Sequence, residues 1–278
     1  MSSVDDPQRR IEELERKCEN LARQLEKVKA EQVTYLQNVS HQLVAPLNAI
    51  KWHIENLTEA RLSIDRAKKV LRSIYSQSTI AVHLAKNFAL MSNLEEDHAL
   101  TALKEPLQSV PLCPLVINLA DDFQPLGWDK SIQIEVDSST FDKAPPVLVM
   151  KPLISQAFSN IIENAVKYSD SESEIRITGS HDAAAGTVTV EITNRGIPLP
   201  KNFVDVFERG FRSPEAKNKY PAGTGFGLYI ARRIVELHQG KITANMTKHG
   251  FVTFAVTLSV KGLEGKARVR DPKDRTIG

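Results

Sequence analysis

Three groups of residues have types and spacings that could do chemistry. The first is Gly223-Thr224-Gly225-Phe226-Gly227-Leu228, which opens a stretch of helical pattern. Glycines there let backbone N–H groups approach an anion, and the start of a helix adds a favourable dipole. The same spacing also suits a tight turn that packs a helix on a sheet, so its meaning depends on what accompanies it. The second group is Asn160 and Asn164, four residues apart and so on one helix face, followed by Lys167 and Tyr168. An amide oxygen is a fitting hard ligand for Mg²⁺. Asparagines more often cap helices or face solvent, but Ile161, Ile162, Ala165 and Val166 place these beside a core. The third is His41, within Ser40-His41-Gln42-Leu43-Val44-Ala45-Pro46-Leu47. An imidazole nitrogen is a competent nucleophile, although a lone helix histidine usually does no chemistry.

The elements that must position these groups follow from periodicity. Ile11, Cys18 and Leu25 share one position of a seven-residue grid, and Leu14, Leu21, Val28 and Tyr35 share another. Such a seam predicts a parallel coiled coil, hence a homodimer; a solitary amphipathic helix folded onto its own domain is the alternative. Helical pattern continues through Leu57, with Pro46 expected to bend it. A second stretch, Ile64 to Leu94, follows a short connection at Thr58 to Ser63. Two such hairpins would form a four-helix bundle.

Pro106, Pro111 and Pro114 mark a change of texture. Beyond them, strands are predicted at Ser131 to Val136, Ser173 to Thr178, Thr187 to Thr193, Gly240 to Asn245 and Thr253 to Ser259. Helices are predicted at Val116 to Phe123, Lys151 to Tyr168 and Gly227 to Leu237. A mixed sheet with helices on one face is the natural solution. A turn from Asn194 through Gly196 to Pro200 follows a strand. Phe207-Glu208-Arg209-Gly210-Phe211-Arg212 then leads into a polar loop reaching Ala222, long enough to be a lid. From Lys261 the chain reads as a basic, polar tail.

Composition narrows the function classes. Lys and Arg total 36 against 34 Asp and Glu, so the net charge of +2 demands neither nucleic acid nor an anionic membrane. Cys18 and Cys113, the two cysteines, have no metal-ligand spacing and suggest a reducing, cytoplasmic setting. No apolar run approaches the roughly 20 residues of a membrane span.

In order and spacing, Asn-x-x-x-Asn-Ala-x-Lys-Tyr, the strand-end turn, Phe-Glu-Arg and Gly-Thr-Gly-Phe-Gly-Leu closely resemble the nucleotide-binding domain of sensor histidine kinases. The box around His41 resembles the phosphoacceptor box of the same family. The resemblance implies an α+β chain in four parts. Residues 1–35 would be a coiled-coil signalling helix and 36–98 a dimerisation and histidine-phosphotransfer hairpin. Residues 106–260 would be an α/β sandwich that binds ATP under a lid, and 261–278 a tail.

It also implies roles. Asn164 would coordinate Mg²⁺ with Asn160 near it, and Lys167 and Tyr168 would lie near the phosphates. Asn194 and Gly196 would belong to the adenine-facing turn, Phe207 would anchor the lid, and Arg212, Gly223, Thr224, Gly225, Gly227 and Leu228 would complete the ATP site. His41 would accept the phosphate beside Gln42, and a response-regulator receiver and an upstream sensor module would be partners.

Three departures from the family pattern bear on function. Asn194 replaces the usual Asp of the adenine-facing turn and keeps only a carbonyl oxygen as acceptor. Gln42 replaces the acidic residue that would take a proton from His41. Ala45 removes a side chain that the family links to phosphatase activity. An ATP-binding scaffold with little autokinase activity is therefore the competing reading. A hydrolysing gyrase-like ATPase is a third, disfavoured because Asn160 stands near where such enzymes carry a water-activating Glu.

Overall fold

The computed structural model describes residues 7–59, 62–94, 106–200, 202–220 and 223–262. The expectations for residues 95–98, for Ala222 and for 263–278 of the tail lie outside them.

Helix α1 runs unbroken over Pro7–Glu59, carrying Pro46 within it, and α2 covers Ile64–Leu94. The two pack as a hairpin. Ile11, Leu14, Leu21 and Leu25 of the heptad seam are 54–63% exposed, and Val44, Leu47, Trp52 and Ile54 further along α1 are also exposed. An isolated chain therefore leaves an apolar stripe without cover.

The following domain is built on a five-stranded mixed sheet of β2 (Gln133–Val136), β4 (Glu174–Asp182), β5 (Thr187–Arg195), β6 (Lys241–Met246) and β7 (Phe251–Ser259). The strand order is β2-β4-β5-β7-β6, parallel between β2 and β4 and antiparallel elsewhere. Alternation along the strands sends Ile175, Ile177, Val188, Val190, Ile192, Val256 and Leu258 into the core. Helices α3 (Leu112–Gly127), α4 (Lys151–Tyr168) and α6 (Gly227–Leu237) supply the facing layer. Each fully buried Ile stabilises the domain by about 1.5–3 kcal/mol.

Two short strands, β1 (Gln108–Val110) and β3 (Val147–Val149), form a separate antiparallel pair. A six-residue helix, α5 (Pro214–Lys219), lies in the loop before the glycine-rich segment. Sequence periodicity predicted none of these three. Helix α3 is longer than predicted, running through Pro125 to Gly127, and β4 extends past Gly179, where the missing side chain leaves room for the ring of Phe141.

Helix α2 leans on the domain as well as on α1, touching α3, α4 and α6. Its Leu90 and Met91 join the domain's core cluster.

Candidate functional site

Helix α4 places most of the site. Pro152 fits its first turn, where a missing N–H costs nothing. Leu153, Ile154, Ala157, Phe158, Ile161, Ile162, Ala165 and Val166 are buried in the sandwich. Ser169 ends it: its backbone is extended and its hydroxyl donates to the Ala165 carbonyl at 2.6 Å. The stripe left over is polar, Gln156, Asn160, Glu163, Asn164 and Lys167, spaced so that all five share one side.

Beyond Gln156, that stripe forms one wall of a cavity of about 750 Å³. Asn160, Asn164, Lys167 and Tyr168 line it from α4, and Asn194 lines it from the end of β5. Arg212 joins from the loop, with Gly223, Thr224, Gly225, Gly227 and Leu228 from the glycine-rich segment. His41, Gln42 and Ala45 line its far side from α1. His41 is exposed.

Two expected site residues stand behind the wall instead of on it. Gly196 is absent from the lining, and a Cβ there would meet the Tyr168 carbonyl oxygen at 2.1 Å. Glycine is thus required by the close approach of this turn to the end of α4. Ile197 N–H donating to that same carbonyl at 3.1 Å, and a bridge between Ser169 and Gly196, fix the approach. Pro198, in turn, lines the cavity. Phe207 is buried edge-on against Phe254, with ring centres 6.2 Å apart, so it supports the loop from beneath.

In the glycine-rich segment, Gly225 has φ +74° and rests on the backbone of Gly210 and Phe211, where a Cβ would come within 2.7 Å. The two ends of the loop thereby meet. Gly227 then begins α6, whose N-terminus has no side-chain cap and opens on the cavity. Unpaired N–H groups of a helix start, with Lys167, Arg212 and Lys219 on the same cavity, make a site suited to a polyphosphate. The donor set fits ATP, and the Asn164 amide oxygen fits Mg²⁺.

Sequence reasoning missed the loop's own latch. Arg212 donates from Nη2 to the Ala216 carbonyl at 3.1 Å and to the Tyr220 carbonyl. Lys130 donates from Nζ to the Val166 and Lys167 carbonyls at 3.2 and 2.8 Å, and it also meets the Tyr220 hydroxyl. Tyr220 stacks edge-on with Tyr168 at 5.6 Å. Burial lowers the pKa of Lys130 and raises that of the Tyr220 phenol. For Lys167, burial lowers the pKa and Glu163 opposes it; for Tyr168, burial raises it.

Asn160 holds a second surprise. Its Oδ1 accepts from Asn87 Nδ2 at 2.7 Å and its Nδ2 donates to Asn87 Oδ1 at 3.1 Å, while Gln156 Nε2 donates to the same Asn87 oxygen at 2.9 Å. One turn away, His83 Nδ1 lies 2.8 Å from Glu163 Oε2. Burial would raise the Glu163 pKa, but His83 and Lys167 outweigh it and hold the carboxyl below its ordinary value. His83 is buried between the hairpin and the domain. Two polar residues four apart on α2, facing a polar stripe on α4, were the signal available in the sequence.

Residues 151–262 match the family model of histidine kinase-, DNA gyrase B- and HSP90-like ATPases. That match lies within the C-terminal domain, and the chain is similar to sensor histidine kinases well beyond it. Over 235 residues it is 28% identical to the sensor protein kinase WalK of Staphylococcus haemolyticus, a match covering 84% of this chain and 37% of the relative. WalK of Staphylococcus epidermidis is 27% identical over 241 residues, covering 86% of this chain and 38% of the relative. The chain therefore spans 37–38% of the length of these relatives.

Among solved structures, the fold is similar to Acinetobacter baumannii histidine kinase AdeS, with TM-score 0.51 and 18% identity over 79% of this chain and 98% of that one. It is also similar to full-length ShkA in complex with AMPPNP, with TM-score 0.54 and 20% identity over 82% of this chain and 46% of that one. No helix among the described residues is long and apolar enough to cross a membrane.

Proposed function

We propose that the chain is the kinase core of a sensor histidine kinase, which transfers the γ-phosphate of ATP to His41 and passes it to an aspartate of a separate response regulator. The observation that carries this reading is that His41 lines the same cavity as the nucleotide-site motifs. The ShkA complex with AMPPNP and the WalK relatives support it.

In this reading Asn164 holds Mg²⁺, which supplies neutralisation of phosphate charge when bound. Lys167, Arg212 and the start of α6 hold the phosphates. Asn194 accepts from the adenine amine, with Pro198 lining the same wall. One His41 ring nitrogen uses its lone pair to form the N–P bond while the bond from the γ-phosphorus to the β,γ-bridging oxygen breaks. ADP leaves with that electron pair. The proton on the other ring nitrogen goes to water, since the Gln42 amide beside it is no base.

The exposed stripe from Ile11 to Leu25 supports a homodimer joined by a coiled coil, which would carry input from a sensor module to the hairpin. A cytoplasmic setting suits this role.

Incubation with γ-labelled ATP and Mg²⁺ tests the reading. Acid-labile, alkali-stable label that disappears in His41→Ala is the expected result. ATP binding without label favours the alternative, a dimeric scaffold that regulates a partner. Gln42 and Ala45, and the occupation of both Asn160 amide atoms by Asn87, are the features that motivate that alternative.

A further inference from the structure

We infer that Asn87 and His83 are positioning residues that seat the ATP-binding domain on the hairpin of its own chain, so that His41 receives phosphate from the nucleotide held by the same subunit. This rests on the kinase reading above.

The contact is specific in a way that apolar packing is not. Asn87 is nearly buried and offers one amide, which satisfies two partners on α4: Asn160 through a reciprocal pair of hydrogen bonds and Gln156 through a third. Such an arrangement fixes translation along α2, because a shift of one helical turn would leave buried amides unsatisfied at each end. The His83–Glu163 pair sits one turn earlier on α2 and one turn later on α4, so the two contacts together also set the angle between the helices. His83 is further held by Phe123 of α3, edge-on at 5.5 Å.

The clasp and the acceptor share one cavity. Gln77, Ile80, Leu84 and Asn87 of α2 line it between His41 on α1 and Asn164 on α4, all within one chain. No second subunit is needed to bring His41 to the nucleotide motifs. The transfer is the step written above: the His41 nitrogen gains the phosphorus, ADP leaves with the bridging oxygen's electrons, and the ring proton passes to water. Only its geometry is at issue.

The decisive experiment uses mixed dimers of the full chain, one subunit carrying His41→Ala and the other Asn164→Ala, distinguished by two tags and purified through both. Transfer within a subunit leaves them unlabelled by γ-labelled ATP. Label on the Asn164→Ala subunit overturns the proposal. Should the two variants not exchange subunits after purification, co-expression of the two tagged chains supplies the mixed dimer, and the same two outcomes decide. A wild-type chain that takes no label overturns the kinase reading itself, and this proposal with it.

The clasp is tested separately by Asn87→Ala, with His83→Gln as a second variant. Expected are an initial labelling rate lowered about tenfold, ATP affinity within about twofold of wild type, and faster amide exchange in residues 156–163. An unchanged or raised rate, or an equal loss of ATP affinity, overturns the positioning role.

Discussion

The C-terminal domain and the helical hairpin spend their apolar residues differently. The domain buries Phe158, Ile161, Ile175, Ile177, Ile192 and Ile234 against one another within the chain. The hairpin leaves Leu21, Trp52, Ile54, Leu71 and Val82 exposed, and among its described residues only Leu90 and Met91 enter the core cluster. The domain's stability is therefore largely its own, whereas the hairpin's rests on surfaces it meets, the domain on one side and, in the proposed dimer, a second copy on the other. Signalling elements that must move belong at the less self-sufficient end.

Substitutions can break or sharpen this contrast. The largest expected effect is Phe158→Ala, which should cost about 3–5 kcal/mol in thermal unfolding of the domain, since it empties a fully enclosed site. Gly196→Ala should follow at about 2–3 kcal/mol, because its methyl group would strike the Tyr168 carbonyl oxygen; chemical denaturation would read it. His83→Ala should cost about 1–2 kcal/mol by leaving Glu163 partly buried without its imidazole partner, and the loss should appear as earlier release of the domain from the hairpin in limited proteolysis.

Acidification should mimic His83→Ala weakly. The folded-state pKa of Glu163 is depressed, so its contribution is complete above the ordinary carboxylate pKa and is lost as pH falls through the lower folded value. Domain seating followed by amide exchange should weaken on that acid side. Smallest of all, Trp52→Ser should change single-chain unfolding by less than about 0.5 kcal/mol at high dilution. The same variant should lower the dimer fraction in sedimentation at higher concentration. A large loss at both concentrations would erase the contrast.

Legibility in the sequence follows the same division of forces. Helices α2, α4 and α6 match the predicted limits, because each carries a long, one-sided apolar period that local sequence cannot hide. Strands β1 and β3 escaped, being three residues each beside prolines, too short to show alternation. The lid helix α5 had a readable start in Ser213, whose hydroxyl accepts from Ala216 N–H at 3.2 Å, but six residues carry no period. Asn164, Lys167 and the glycine-rich segment stood out because their spacing is local, and they line one cavity. The Asn87 clasp joins residues 69 and 73 positions apart, a relation that only the packing of α2 on α4 creates.

Lys130 belongs to the same class of long-range contact. It ties the Tyr220 hydroxyl to the end of α4 from outside the cavity. In the proposed kinase, nucleotide residence time and nucleotide choice would then be under separate control. Lys130→Met should hasten ADP departure by loosening the lid while leaving discrimination between adenine and guanine unaltered, so turnover can be retuned without rebuilding the pocket.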